Sequence, residues 1–387
     1  MSHDAAGLAP RAVEQDAVKP RALGVHGGVA AAPAPDPHAP TVPAPDDAAP
    51  EQRAADVIVI GGGVAGLTAA RELRRAGLAV EVLEKSSGLG GRSATRTVGA
   101  RRVDHGAQYF TARSPRFRHQ VDAWVAEGLV FRWTEGLPKW TAAGGWRDAA
   151  HGGHPRFACA AGMNTVGKAL ALGLEVQRET RVSHLARDGD AWVLALEGGG
   201  VRRAPRLVVT PPVPQALELL ADAELPAATY AELASVSYAP CFTVIAGYPE
   251  AEAPDWPGLH LNDHPDLAWI GNDGSKRPAS DGAVLVLHAT PAFSRERFDD
   301  AAVDNVRHLL RAATELVPWA DHPAWTDHQR WRYARPEHAH PAQALMAGPG
   351  LVLAGDGFGG DAGGRIEGAY LSGLAAARLL LEVNSAE

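Results

Sequence analysis

The sequence predicts an α/β protein: a Rossmann-type nucleotide-binding domain followed by a second, α+β domain of antiparallel sheet and helices. Three observations carry this. A short β-branched run, Val57-Ile-Val-Ile60, feeds directly into a glycine-rich turn and an amphipathic helix, the start of a βαβ unit. Two further apolar runs, Leu207-Val-Val-Thr210 and Leu351-Val-Leu-Ala354, have the length and composition of buried parallel strands. Between and after them the patterning switches repeatedly from period 2 to period 3.6, which is mixed sheet and helix. With 387 residues, 46% hydrophobic and 21% charged, the chain has material for two cores, and wholesale disorder is excluded.

In chain order, residues 1–54 are Ala/Pro-rich and read as a disordered tail, or as a gene start assigned too far upstream. Leu67 to Ala76 is predicted helical and ends at Gly77; Ala79-Val-Glu-Val-Leu83 is the next strand. A helix is expected over 115–127, with Pro115 in its first turn. Trp133, Trp140 and Trp146 fall among turn residues and suggest a small hairpin region. Met163 to Leu172 reads as a short helix. Thr180 to Ala186 and Trp192 to Leu196, joined through Asp188-Gly-Asp190, form a hairpin. Helices follow near 214–221 and 227–235, then strands near 241–247, 267–271 and 284–289. A long amphipathic helix is expected from Ser294 to about Leu316, and a terminal helix from Glu367 to Leu381.

Charge and cysteines narrow the function classes. Net charge is −8 with no basic block, which argues against a nucleic-acid partner. No run of 18 or more apolar residues appears, so no membrane span is expected. The 2 cysteines, Cys159 and Cys241, form no metal-binding or CxxC spacing and suit a reducing cytoplasm. Glu337-His338-Ala-His340 and His151-Gly-Gly-His154 read as exposed loop histidines, so no metal is expected. No Gly-x-Ser-x-Gly or His-Glu-x-x-His occurs, which removes the common hydrolase readings.

Gly61-x-Gly63-x-x-Gly66 stands between a strand and a helix, the context that gives this signature its meaning. Gly61 permits the tight turn, Gly63 lets backbone approach a pyrophosphate, and Gly66 lets helix and strand pack closely. Val64 and Ala65, within this turn, are expected cofactor contacts, and the N-terminus of the helix that follows presents free N–H groups to the phosphates. Glu84 ends the second strand, placed to accept from a ribose diol. Lys85 follows it, then Gly90-Gly91-Arg92. A second glycine pair with an arginine, so soon after the acid, suits a longer dinucleotide than NAD.

At this point the sequence resembles the flavin-containing amine oxidase superfamily, whose glutathione-reductase-like domain begins with such a segment. The resemblance implies FAD as cofactor. Val182, within Glu179-Thr180-Arg181-Val182, matches the superfamily's second contact with adenine. Ala354-Gly355-Asp356 matches its late Gly-Asp, near the ribityl–phosphate region. Gly364-Arg365-Ile366-Glu367 opens the helix that faces the flavin pyrimidine. No cysteine falls in that segment, which fits FAD held non-covalently.

The likeness is closest to the renalase-like branch. It is carried by Asp104-His105-Gly-Ala-Gln108-Tyr109-Phe110, Trp269-Ile-Gly-Asn272-Asp-Gly-Ser275-Lys276, Val286-Leu-His288-Ala, His328-Gln-Arg-Trp331-Arg332-Tyr333, and Arg365-Ile-Glu367-Gly. It implies an oxidase that takes hydride from isomeric dihydronicotinamide nucleotides and passes electrons to O2, giving hydrogen peroxide. Oxidation of an amine, or FAD binding without turnover, are the alternatives. The expected substrate slot has His105, Gln108 and Tyr109 on one side and Trp331, Arg332 and Tyr333 on the other. Lys276 is expected near the flavin or a substrate phosphate. The FAD-binding domain is expected over 55–110, 156–212 and 326–387, with 111–155 and 213–325 forming the substrate domain.

Overall fold

The computed structural model describes residues 55–148, 153–277 and 282–384. The Ala/Pro-rich segment 1–54 and His151 lie outside the described residues.

Val57–Ile60 forms a central strand because all four side chains are apolar and both faces are covered. Val57, Ile58 and Val59 are fully buried, and each contributes on the order of 1.5–3 kcal/mol of transfer free energy. It pairs in parallel with Arg206–Val209 on one side and Val80–Leu83 on the other. Glu175–Gln177 extends the sheet beyond Val80–Leu83, and Leu351–Leu353 lies beyond Arg206–Val209. Leu345–Gly348 closes that edge in the antiparallel sense, giving six strands. Helices Val64–Arg75 and Ile366–Asn384 cover one face. The antiparallel strands Val182–Asp188, Ala191–Leu196 and Val201–Ala204 pack on the other. The fold is thus α/β, as the sequence predicts.

A second sheet has seven strands: Trp325–His338, Ser237–Tyr248, Ala283–Ala289, Leu267–Asn272, Gly258–Asn262, Lys139–Thr141 and Gly145–Arg147, in that spatial order. Strand alternation divides its residues cleanly. Phe242, Val244, Leu285, Leu287 and Ile270 face helices Pro291–Glu296 and Ala302–Ala313, against Phe293, Leu309 and Leu310. Thr243, His288, Trp269 and His260 alternate with these and take the opposite face.

Two expectations change. The single helix over 294–316 is two, broken at Arg297–Ala301. Asn305, fully buried in the second helix, donates Nδ2 to the Arg297 carbonyl at 2.8 Å, so a side chain satisfies the open end that a continuous helix would have bonded. Trp325–His338, which the sequence reading assigns to the nucleotide-binding part, pairs along Ser237–Tyr248 in the seven-stranded sheet. Strand pairing across distant sequence decides that, and no local pattern announces it.

Candidate functional site

A cavity of about 1670 Å3 runs from the ends of the parallel strands at Ile60, Leu83, Thr210 and Gly355 to the face of the seven-stranded sheet. Its first part is a backbone cradle. Gly61 has φ 108°, and a Cβ there would lie 2.4 Å from Thr210 Oγ1. At Gly66 a Cβ would lie 2.1 Å from the Gly61 carbonyl oxygen. At Gly63 it would meet no protein atom. The first two glycines are therefore required by the protein's own packing, whereas Gly63 leaves room for something else. The Gly90-Gly91 turn locks onto this cradle through Gly90 N–H donating to the Gly62 carbonyl at 2.8 Å.

Glu84 is buried and fixed. Its carboxylate accepts from Gly62 N–H at 2.5 Å and Ser86 N–H at 2.7 Å. A carboxylate has about four lone-pair sites, so acceptor capacity remains toward the cavity. Val64, Ala65, Lys85, Gly91, Val182, Asp356, Arg365 and Ile366 also line it. Gly355 contributes backbone whose N–H is anchored on Ser372 Oγ at 2.8 Å. Arg92 is not a free cation: it donates to Asp356 Oδ1 at 2.5 Å and to the Tyr333 carbonyl at 2.9 Å. It thereby ties the glycine pair, the Gly355-Asp356 turn and the long edge strand together. Glu367 is elsewhere than expected. It lies outside the cavity lining, and its carboxylate accepts from Arg113 and Ser114 N–H. There it caps helix Pro115–Ala126, where an anion at a helix N-terminus is favoured.

The second part of the cavity is aromatic. His260, Trp269, His288, Thr243 and Gln329 are directly opposed on five neighbouring strands and form one cross-strand row. Of these, His260, Trp269, His288 and Gln329 line the cavity. Tyr109 joins them, its hydroxyl 3.0 Å from His260 Nε2 and its ring 5.9 Å from Trp269. His105 stacks on Trp331 with centroids 5.4 Å apart, and Trp331 Nε1 donates to the His105 carbonyl at 3.1 Å. The expected opposite walls are therefore one wall. Arg332 reaches the lining, but its guanidinium does not share this wall. Alternation turns Trp331 and Tyr333 to one face and Arg332 to the other, where its guanidinium lies 4.3 Å over the Phe298 ring and is largely exposed.

Gln108 and Lys276 stand at the boundary. Gln108 lines the cavity, but Nε2 donates to the Asp104 carbonyl at 2.6 Å, and Oε1 accepts from Lys276 Nζ at 3.2 Å. Lys276 is not in the lining. Its ammonium is buried behind Gln108, 3.0 Å from both Asp104 Oδ2 and Asp273 Oδ1. Arg277 pairs with the same two carboxylates, so the group is neutral overall. Burial opposes ionisation of Asp104, but Lys276 and Arg277 outweigh it and hold the carboxyl below its usual range. The expected contact of Lys276 with cofactor or substrate is thus corrected: carboxylates behind the wall take its charge.

All three cavity histidines are held neutral. Burial, then the Arg96 charge, lowers His105 to about 4. Burial, then Arg156 and Lys139, lowers His260 to about 4, and burial, then Lys276, lowers His288 to about 3. With an unfolded value of 6.5, the unfolded chain binds more protons below that pH. Stability is therefore full above about 6.5 and falls as pH drops through the window toward 4. Thermal melts across pH should show this decline, and His288→Asn should make it shallower. A melting temperature constant from pH 7 to 4.5 would contradict it.

A family profile described as flavin containing amine oxidoreductase matches residues 121–381, and one described as NAD(P)-binding Rossmann-like domain matches 59–124. The chain belongs to the flavin-containing amine oxidoreductase family. Among curated relatives, renalase of Mus musculus is 25% identical over 325 residues, covering 78% of this chain and 92% of that protein. Pseudooxynicotine dehydrogenase of a Pseudomonas species is 43% identical over 82 residues, 21% of this chain and 16% of that one. Putrescine oxidase bound to putrescine superposes with TM-score 0.67 at 16% identity, over 85% of this chain and 99% of its own. Cyclohexylamine oxidase of Brevibacterium oxydans does so with TM-score 0.66 at 15% identity, over 86% and 100%. These two show the shared fold.

The cofactor of this flavin-dependent oxidoreductase is FAD, and the cradle fits it. Open space at Gly63, a fixed carboxylate at Glu84 and a long cavity past Gly91 and Val182 are what an extended dinucleotide requires. Among the described residues no helix is long and apolar enough to cross a membrane, and no group of three metal-ligating side chains occurs. His260 and Arg156 belong to no motif that sequence reading singles out. Trp269 and His288 lie in resembling segments without any sign that they face each other. Strand register alone brings them together.

Proposed function

We propose that this flavoprotein oxidises a dihydronicotinamide nucleotide, taking hydride from an isomer reduced at C2 or C6 and reducing O2 to hydrogen peroxide. The six-stranded sheet and its loops would hold FAD non-covalently, and the seven-stranded sheet would form the substrate wall. Gly61, Gly63 and the start of helix Val64–Arg75 would hold the pyrophosphate, Glu84 the ribose and Val182 the adenine. FAD, when bound, supplies a two-electron acceptor that O2 can reoxidise.

One observation carries the reading: among the described residues, the aromatic end of the cavity offers a flat wall and arginines but no competent base, and Glu337 of the lining is ion-paired with Arg295. Its imidazoles, at about 3 to 4, are too weakly basic to deprotonate an ammonium near neutrality. Asp104 and Asp327 are engaged by Lys276, Arg277 and Arg96. Among the described residues a protonated amine would find neither a free counter-charge nor a proton acceptor there. Hydride loss from a dihydronicotinamide requires no base, only a planar ring held in place. Tyr109, Trp269 and the His105–Trp331 stack can orient such a ring, and Gln108, clamped from behind, cannot swing away. This is positioning rather than acid–base work. The two cysteines, both free, suit the reducing cytoplasm.

The test is anaerobic mixing of the yellow protein with borohydride-generated NADH isomers. Rapid bleaching of the flavin absorbance, and peroxide on admitting O2, are expected. Bleaching by amines with a rate that climbs with pH, and none by the isomers, would overturn the reading in favour of amine oxidation. Flavin that stays oxidised with every donor would mark a binding protein without turnover.

A further inference from the structure

We infer that Arg156 is a specificity-determining residue, the group through which the substrate end of the cavity selects an anionic ligand. The inference rests on reading this cavity as the substrate site, and it goes beyond the choice of donor by naming the charge the site requires and the residue that reads it.

Arg156 begins strand Arg156–Ala158 and lines the cavity beside Tyr109, its guanidinium carbon 5.7 Å from the centre of that ring. Nη1 donates to two carbonyls, those of Glu135 at 3.0 Å and His154 at 3.4 Å. These fix the group's position but do not neutralise it. The Glu135 carboxylate is turned away, 3.1 Å from Arg132. Among the described residues no carboxylate lies within ion-pairing distance of Arg156, and its Nε is buried without a hydrogen-bond partner. Of the other arginines in the lining, Arg92 is paired with Asp356, Arg96 with Asp327 and Arg332 with Asp299, whereas Arg156 stands beside the aromatic wall. A guanidinium without a counter-charge in an aromatic-walled cavity is complemented by an acceptor-rich, negatively charged ligand. The charge reaches into the cavity, since it helps keep His260 neutral. Chemically, the ligand is a planar ring carrying a carboxylate or a phosphate.

Binding of simple aromatic probes to the FAD-loaded full-length protein tests this without turnover. Benzoate, phenyl phosphate, benzamide and benzylamine are titrated at low salt, followed by calorimetry and by the perturbed flavin absorbance. The two anions should bind roughly 10- to 100-fold tighter than benzamide, with benzylamine weakest. Added salt should narrow the gap. Arg156→Gln should bring the anions to within about threefold of benzamide while leaving benzamide itself nearly unchanged, and Arg156→Lys should restore part of the gap. Equal binding of benzoate and benzamide by the wild type, no binding of any probe, or a gap that survives in Arg156→Gln would each overturn the proposal. An anion preference that depends on Arg156, in a protein whose flavin the NADH isomers do not bleach, would uphold this inference and reject that donor.

Discussion

Replacing Lys276 by Met is expected to destabilise the protein by about 3–5 kcal/mol, the usual loss when one partner of a buried ion pair is removed. The lysine sits among Asp104, Asp273 and Gln108 with its side chain 1% exposed. Methionine matches its length but not its charge. Two buried carboxylates would then share one cation, Arg277, and the Gln108 carbonyl and Oε1 would lose their donor. The damage should extend to the cavity, since the same network anchors the turn bearing His105, Gln108 and Tyr109. Chemical denaturation with and without added FAD measures the loss. Adding Asp273→Asn to Lys276→Met restores charge balance and should recover part of it. A single-variant loss below about 1 kcal/mol, the level of an exposed pair, would mean that the cluster does not hold this turn.

Gly63→Val and Gly66→Val should fail in opposite ways. At Gly63 the backbone has φ −78° and ψ 176°, which valine adopts readily, and its side chain would project into space that no protein atom fills. The variant should fold, with far-UV circular dichroism like that of the wild type, yet purify without flavin, because its methyl groups occupy the phosphate position. At Gly66 even a Cβ meets the Gly61 carbonyl oxygen at 2.1 Å. Strand and helix must then separate at the centre of the six-stranded sheet, and the expected result is aggregation or loss of the cooperative melt. Flavin content and melting curves of the two purified proteins distinguish these outcomes. Retention of FAD in Gly63→Val would displace the pyrophosphate from this cradle.

The two variants also mark how far sequence reading reaches. The three glycines look alike in the motif, and their spacing between strand and helix is enough to identify a nucleotide cradle. That Gly61 and Gly66 serve packing while Gly63 serves the ligand depends on where Thr210 and the Gly61 carbonyl lie, 3-D facts that spacing does not encode. Glu367 shows the same limit from the other side. An acidic residue in the first turn of the last helix looked like part of the flavin contact, and it caps a helix more than 250 residues earlier in the chain.

What the sequence determined by itself is local. Val57–Ile60, the glycine turn, Glu84 and the hairpin after Arg181 are short-range patterns, and short-range physics decides them: β-branched runs, turn glycines and the period of apolar side chains. Tertiary structure decided the substrate wall. Segments around 260, 269, 288, 243 and 329 are brought level by strand register, and shifting any strand by one residue would turn its side chain to the helix-covered face. Period 2 also separates Arg332 from Trp331 and Tyr333, although the three are adjacent in the chain. Lys276 looked available because sequence shows a lysine's charge but not its neighbours. Only folding placed Asp104, from 172 residues away, beside it, and in a buried site the nearest opposite charge decides what an ammonium can do.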